Sequence, residues 1–396
     1  MNKSIQKLAQ KEVQDYVAKN LKTDLQRLVL KGSPFPDIAI QALATQISGK
    51  KDAEKKLPTW FAAKGVVYPP KLNMEQCSSE LTAHYKASLL SGKTLVDLTG
   101  GFGVDDYYFS KRFERVTHCE LNAELSTVAS HNFKVLGATN IQTYEGDGAV
   151  FLQRMQRADA LYVDPSRRAG SGRVFMLKDC EPNVIENQEL YLHKAKQVMI
   201  KAAPMLDINL ALSDLQNVAE VHVVSVKNEC KESLFILRAE PRKEAIKMVC
   251  AMLGNTSPGL FSFFPDEEKN AESAFSEVQN YLYEPDAAIL KAGAFKLLGE
   301  RLQINKLQQH SHLYTSSDLV DFPGKRFKVL QTILFNDFKK AQVPKQINVV
   351  CRNFDLKPED LKKRFGLKDG GADFLFFSTD YKNRKVVIHA QKINFT

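Results

Sequence analysis

The sequence has no CxxC pair, a single tryptophan and no apolar run approaching the roughly 18 residues of a membrane span. Its six cysteines, at 77, 119, 180, 230, 250 and 351, are scattered, and the eight histidines do not gather beside them. That scatter excludes a dense disulfide frame and argues against a structural zinc site, so free thiols and no bound metal are expected. The first residues, MNKSIQKLAQKEVQDY, contain no apolar h-region, which speaks against a secretory signal and for a cytoplasmic protein with no membrane partner. Glycine and proline, 20 and 15 of 396 residues, are too few for a collagen-like or low-complexity chain. What remains is ordinary for a folded protein, 44% apolar and 26% charged, in a chain long enough for two or three domains.

The charge is unevenly placed. The formal net charge is +9, and residues 321–396 hold 16 Lys and Arg against 8 Asp and Glu, a net +8. A basic module on a near-neutral body suits a polyanionic partner; a solvated lysine-rich surface is the plainer reading.

Hydrophobic spacing divides the chain. Val13, Val17, Leu21, Leu25 and Leu28 recur at helical steps, Gly32 to Pro36 interrupts them, and a second helix is expected from Asp37 to Ile47. Lys50 to Lys56 reads as a charged turn before Trp60, which is either a buried anchor or a platform for a base. Beyond Pro69-Pro70, strands at 94–98, 116–120, 141–144, 158–163 and 197–200 alternate with helices, and 218–226 with 232–239 reads as a closing pair. This pattern predicts an α/β protein with a doubly wound, mostly parallel Rossmann-like sheet and an antiparallel hairpin edge. From Pro241 the segment to 280 reads as helix-rich with a break at Pro258-Gly259, followed by α+β texture to the end. The domains expected are 1–70 (helical), 71–240 (the parallel sheet), 241–324 (a helical segment and a small α/β domain) and 325–396 (the basic domain).

Candidate chemistry sits at successive strand ends. Asp97-Leu98-Thr99-Gly100-Gly101-Phe102-Gly103 closes the first strand and opens a helix, where a nucleotide-like ligand lies in an open α/β sheet. A dinucleotide fingerprint would place glycine where Asp106 stands. With Asp105 beside it, the helix start is expected to repel a pyrophosphate and to suit a cationic ligand such as S-adenosylmethionine. Glu120, followed by Leu121, ends the second strand about 20 residues on, placed to accept ribose hydroxyls. Gly146-Asp147-Gly148 follows the third strand and could receive an adenine amino group, or be a mere turn. The fourth strand ends in Asp164-Pro165-Ser166-Arg167-Arg168, where a methyl-accepting group would be held, with the arginines on a phosphate or simply on the surface.

These residues together resemble the class I S-adenosylmethionine-dependent methyltransferases. More closely, the chain is similar to bacterial members that carry a ferredoxin-like insert and a C-terminal THUMP-like domain. The likeness also takes in Lys56-Leu57-Pro58 with Trp60, Glu75-Gln76-Cys77-Ser78-Ser79-Glu80 and Tyr283-Glu284-Pro285-Asp286-Ala287-Ala288. It implies a cofactor site of Gln76, Ser79, Asp97, Thr99, Gly100, Gly101, Gly103, Glu120, Leu121, Asp147 and Gly148, with Thr99 where glycine is usual. It implies transfer around Asp164, Pro165 and Arg167, with the N-terminal helices covering the cleft. THUMP-like domains dock structured RNA, and here Lys325, Arg326, Lys362, Lys363, Arg364, Lys382, Arg384 and Lys385 are the basic clusters that would meet it. The loops at 97–103 and 164–167 are also similar to those of RNA uridine C5 methyltransferases. Those enzymes need a cysteine where this chain has Ile200-Lys201-Ala202-Ala203-Pro204, and Cys180 and Cys230 read as inert. Direct in-line transfer to a base nitrogen of tRNA or rRNA is therefore expected. A methyltransferase for a protein or small molecule, and a non-catalytic RNA-binding scaffold, stand as alternatives.

Overall fold

A computed structural model describes residues 3–167, 176–240, 244–254 and 259–393. The chain divides into two units, 1–220 with 233–244 and 221–232 with 245–396.

The first unit begins with helices Lys3–Leu8, Lys11–Lys19, Leu25–Lys31 and Ile40–Lys56, packed around Val13, Val17, Leu28, Leu43 and Ile47. The periodic stretch expected through Leu28 is broken after Lys19, because Asp24 caps a new helix by accepting a hydrogen bond from Gln26 N. The turn expected at Lys50 to Lys56 is instead the end of Ile40–Lys56. Ala53 is buried on its inner side, and the lysines and glutamate around it are good helix formers. Short helices Pro58–Ala62, Lys71–Gln76 and Glu80–Leu89 lead into the sheet.

The strands of this unit are β1 (Thr94–Asp97), β2 (Arg115–Glu120), β3 (Ile141–Glu145) and β4 (Ala158–Val163). They continue with a two-residue pair, β5 (Ser166–Arg167) and β6 (Cys180–Glu181), and with β7 (Ala195–Ala202). The strands β8 (Val218–Val226) and β9 (Glu229–Arg238) follow, of which residues 221–232 belong to the second unit. Residues 233–238 of β9 lie antiparallel on β7, and the parallel order continues β7-β4-β1-β2-β3. Helices Val104–Phe109, Ala123–Val135, Gly148–Arg154 and Val184–Lys194 occupy the connections. The chain runs outward from β1 through β3 and then returns to β4 on the other side of β1. The β1–β4 crevice is thus the switch point at which doubly wound sheets bind ligands.

The second unit contains β10 (Lys247–Leu253) and β11 (Gly259–Phe263), paired antiparallel. This replaces the helix-rich segment expected over 242–280, of whose described residues only Pro265–Asn270 are helical. In β10 every residue but Lys247 is buried, so the alternation that marks a half-exposed strand is missing from the sequence. Pro258 of the expected break lies outside the described residues.

A seven-stranded sheet follows, built from β12 (Tyr281–Pro285), β13 (Asn305–Lys306), β14 (Tyr314–Ser316), β15 (Gly324–Leu334), β16 (Asn348–Arg352), β17 (Asp373–Thr379) and β18 (Lys385–Lys392). Its order is β13-β14-β12-β15-β18-β17-β16, antiparallel except where helix Pro358–Phe365 returns β16 parallel to β17. Leu282, Phe327, Phe376 and Ile388 form one core cluster, and Ile333, Phe338, Leu361 and Phe377 another. No disulfide joins any of the six cysteines. Among the described residues no helix is long and apolar enough to cross a membrane, and no side-chain cluster could hold a metal.

Candidate active site

The loop after β1 is shaped by what lies under it. A Cβ on Gly100 would fall 2.2 Å from the His118 ring, and Gly103, at φ 81°, would meet Phe133 at 2.4 Å, so neither position takes a side chain. Asp97 is 1% exposed, and its Oδ1 accepts hydrogen bonds from Thr99 N and Oγ1 at 2.8 and 3.2 Å. Beneath it, Asp106 Oδ2 and His118 Nδ1 are 2.6 Å apart in full burial. Burial, and then the carboxylate of Asp106, push Asp97 well above the usual carboxylate range; burial and Asp105 do the same to Asp106. Burial holds His118 below its ordinary value.

Asp105 turns the other way. Its Oδ2 accepts from the hydroxyls of Ser78 and Tyr162 at 2.8 and 2.9 Å, and the buried Lys86 ammonium lies 3.1 Å from Oδ1. Burial works to raise its carboxyl, but Lys86, Lys201 and Ser78 together hold it below the ordinary value. The repulsion of a pyrophosphate expected from two carboxylates at this helix start is therefore corrected. Asp106 faces the core and is held towards its neutral form, and Asp105 is matched by Lys86.

At the next strand tip, Glu120 Oε2 accepts from Gly101 N at 2.8 Å and Oε1 from Asn122 N at 2.7 Å. Leu121 beside it is 75% exposed. Asp147 caps helix Gly148–Arg154 through Ala149 N at 2.8 Å, and a Cβ on Gly148 would meet Leu98 O at 2.4 Å. Gln76 is exposed at the end of helix Lys71–Gln76, and Ser79 caps helix Glu80–Leu89 by accepting from Thr82 N.

The N-terminal motifs are stitched to one another. Lys56 Nζ donates to the carbonyls of Met74 and Glu75 at 2.7 and 2.9 Å. Glu80 accepts from Thr59 and from the Tyr108 hydroxyl. Trp60, fully buried, stands edge-on to Tyr107 at 4.9 Å between ring centroids, so it is the anchor and not an open platform.

At the tip of β4, the Asp164 backbone amide donates to Thr99 Oγ1 at 2.7 Å, and Lys201 Nζ reaches Asp164 Oδ2 at 2.5 Å. Lys201 was not among the residues the sequence pointed to. The available signal was a lone cation near the end of the apolar run Val198-Met199-Ile200 of β7. Pro165 follows Asp164, Arg167 lies in β5 opposite Cys180, and Arg168 lies outside the described residues. Cys77 is the thiol beside this cluster. Burial pushes it up more than Lys56 and Lys201 draw it down, and its Sγ donates to Met74 O, so it is no activated nucleophile. Cys180 is buried, and burial pushes the Cys230 thiol up to about 11.

In the second unit most of the basic clusters are already paired. Lys325 and Arg352 clasp the buried Glu284 at 2.8 and 2.6 Å, Arg326 meets Asp321 and Lys362 meets Asp369. Lys382 and Arg384 share Glu277, Arg384 also holds Asp380, and Lys385 reaches Asp355. Lys363 has no ion pair among the described residues, and the Arg364 guanidinium lies over the rings of Phe335 and Phe365 at 5.5 and 5.4 Å.

Comparison with known proteins fits this architecture. Residues 281–323 match a ferredoxin-like domain family and residues 324–392 a THUMP domain-like family. Comparison with curated proteins gives no match. The crystal structure of a candidate methyltransferase from Porphyromonas gingivalis W83 overlays at a TM-score of 0.86, with 31% identity over 99% of each chain. An rRNA methylase from Streptococcus thermophilus overlaps 40% of this chain and 93% of its own, at 15% identity and TM-score 0.30. TrmK of M. capricolum with S-adenosylhomocysteine overlaps 40% and 68%, at 12% and 0.32. These two overlaps are too loose to bear on function. The full-length match is not, and the chain belongs to the methyltransferase family of the Porphyromonas gingivalis protein, a class I fold followed by ferredoxin-like and THUMP-like domains.

Proposed function

We propose that this chain transfers a methyl group from S-adenosylmethionine to a base nitrogen of structured RNA, tRNA or rRNA, by direct in-line transfer. The observation that carries it is Asp164, fixed at the switch point by the Thr99 hydroxyl and left with its carboxylate at the mouth of the β1–β4 crevice.

The residues present fit a sulfonium nucleoside. A carboxylate has about four acceptor sites, and Glu120 uses two on backbone amides, which leaves acceptors for a ribose diol. Leu121 offers uncovered apolar surface to a purine, and Asp147 has acceptor capacity beyond the one amide it caps. Gly100, Gly101 and Gly103 keep the loop backbone bare of side chains, while Asp97 holds that loop in shape from below. Gln76 and Ser79 stand before β1 on the segment anchored by Lys56. When bound, the cofactor supplies an electrophilic methyl group. The chain supplies position, and Asp164 accepts a hydrogen bond from the nitrogen that attacks.

RNA as the substrate is supported by the THUMP-like match and by the basic excess of residues 321–396. Because most of the clusters are internally paired, the reading assigns phosphate contact first to Lys363 and Arg364 on helix Pro358–Phe365. The test is mass spectrometry of RNA nucleosides from a deletion strain. A methylated nucleoside should be missing, restored by the wild-type chain and not by Asp164→Ala; an unchanged nucleoside profile would refute the proposal.

A further inference from the structure

The strands β4 and β7 carry two lysine–aspartate rungs, one at each end. At the N-terminal ends Lys196 Nζ lies 2.7 Å from Asp159 Oδ1, and Asp159 Oδ2 also accepts from Lys93 N, Thr94 N and Thr94 Oγ1 at 2.9, 3.1 and 3.2 Å. That carboxylate is saturated and acts as a clamp. At the C-terminal ends Lys201 Nζ lies 2.5 Å from Asp164 Oδ2, with side-chain exposures of 13% and 34%. Among the described residues no donor reaches Asp164 Oδ1. The carboxylate is filled at one edge of the sheet, and at the edge where ligands bind Asp164 keeps an open acceptor among the described residues. Lys201 also bears on Asp105 and is not free beyond Asp164, but an ammonium has three donors and a carboxylate about four acceptor sites, so the pair can hold its own partners and a ligand edge together.

We propose that Asp164 and Lys201 jointly read a lactam edge, a ring N–H beside a carbonyl, as guanine presents at N1 and O6 and uracil at N3 and O4. The inference rests on the methyltransferase reading above and narrows its substrate. Asp164 accepts from the ring N–H, and Lys201 donates to the carbonyl oxygen. As the N–CH3 bond forms, the S–CH3 bond of the sulfonium donor breaks and its electron pair stays on sulfur. The ring proton passes to Asp164. Negative charge that gathers on the carbonyl oxygen as the proton leaves faces the Lys201 ammonium, which favours it. Methylation of a ring nitrogen in adenine or cytosine goes the other way. It leaves a cationic base, and an ammonium beside the reacting edge opposes that charge. Lys201 is thus a catalytic residue that selects for the lactam.

The test uses the full chain in two measurements. RNA from a deletion strain is treated with isotopically labelled S-adenosylmethionine and digested. Label in N1-methylguanosine or N3-methyluridine is expected, and which of the two appears tells guanine from uracil. Label in adenosine or cytidine overturns the inference and leaves the methyltransferase reading intact. Lys201→Met should lower kcat about 10²-fold at unchanged cofactor affinity, and Lys201→Arg should recover part of it. The second measurement needs no turnover. The protein saturated with S-adenosylhomocysteine is titrated with the four nucleoside 5′-monophosphates and followed by NMR. Preference for guanosine or uridine monophosphate, lost in Lys201→Met, supports the inference; equal binding of all four, or a preference unmoved by Lys201→Met, overturns it. Failure to bind S-adenosylhomocysteine at all overturns both readings together.

Discussion

The Thr99 hydroxyl accepts a 2.7 Å hydrogen bond from the Asp164 backbone amide, and so spans the switch point between β1 and β4. The same hydroxyl donates to Asp97, so one side chain joins the floor of the loop to the tip of the neighbouring strand. A glycine at 99 could do neither. Thr99→Val removes both bonds at nearly constant volume and leaves the Asp164 amide unpaired, a loss of about 1–2 kcal/mol. If Asp164 is the group that positions the acceptor, kcat falls roughly tenfold while cofactor affinity changes little. Thr99→Ser should stay close to wild type. Calorimetric titration with S-adenosylhomocysteine beside single-turnover rates separates the two effects, and a Val variant that loses only affinity would contradict this role.

The buried Asp106 has a consequence for stability. Its carboxyl is raised well above the ordinary 3.8, with burial the main cause. In the unfolded chain it ionises near 3.8, so above that pH the folded state holds more protons than the unfolded one. Its contribution to stability is therefore greatest at low pH and is lost as pH rises. His118 works in the opposite sense, because burial lowers it and the unfolded chain takes up a proton below about 6.5. Above pH 7 the histidine is neutral in both states, and Asp97, which Asp106 pushes up, is relieved in the same direction when Asp106 is replaced. Asp106→Asn, which still pairs with His118 Nδ1, should melt higher than wild type at pH 8, with the gap narrowing as pH falls. Melting curves in matched buffers check this; an Asn variant less stable at pH 8 would show that the carboxylate is tolerated there.

Asp159 gives the reverse slope. Its carboxyl is drawn below 3.8, first by Lys196 and then by the Lys93 amide. The stability it adds is present above the unfolded value and is lost as pH falls through the folded one. Asp159→Ala leaves the Lys93 and Thr94 amides without their acceptor, a cost of about 1–3 kcal/mol at pH 7. The difference from wild type should shrink steadily below pH 3.8. Denaturant midpoints at pH 7 and at a series of lower pH values reaching well below 3 decide it, and a difference that does not shrink across that series would point to packing and not to charge.

Much of the parallel sheet was legible because its strands are short apolar runs ending in a polar or glycine residue. The strands expected at 94–98, 116–120, 141–144 and 158–163 are found at 94–97, 115–120, 141–145 and 158–163. The strand β10 was not legible, because burial of both faces erases the alternation that separates strand from helix. In the site, the order of acids along the strand ends was visible, but the direction each one faces was not. Asp105 and Asp106 are neighbours in sequence, yet one meets Lys86 and the other His118, and only the helix geometry separates them. Lys201 was missed for a related reason. A strand lysine has no motif, and its partner comes from a register between β4 and β7 that tertiary structure alone supplies.

Pairing inside the second unit also sorts the basic residues that could meet RNA. Lys382 and Arg384 are bound to Glu277 and Asp380, so reversing their charge sets like charges together and disturbs the turn before β18. Among the described residues Lys363 has no such partner, and Arg364 lies over Phe335 and Phe365 with no acid paired to it. A cation in that position can meet a phosphate without first breaking an ion pair, and its charge is the kind that releases counterions on binding. Lys363→Glu with Arg364→Glu should weaken binding of total tRNA about tenfold or more at moderate salt and flatten its salt dependence by roughly one unit of slope for each cation replaced. Melting temperature and cofactor affinity should hold. Lys382→Glu with Arg384→Glu should lower the melting temperature and change the salt slope less. Filter binding across a salt series, run beside thermal melts of both double variants, distinguishes the two faces. A salt slope that moves only with Lys382 and Arg384 would transfer the RNA contact to their turn.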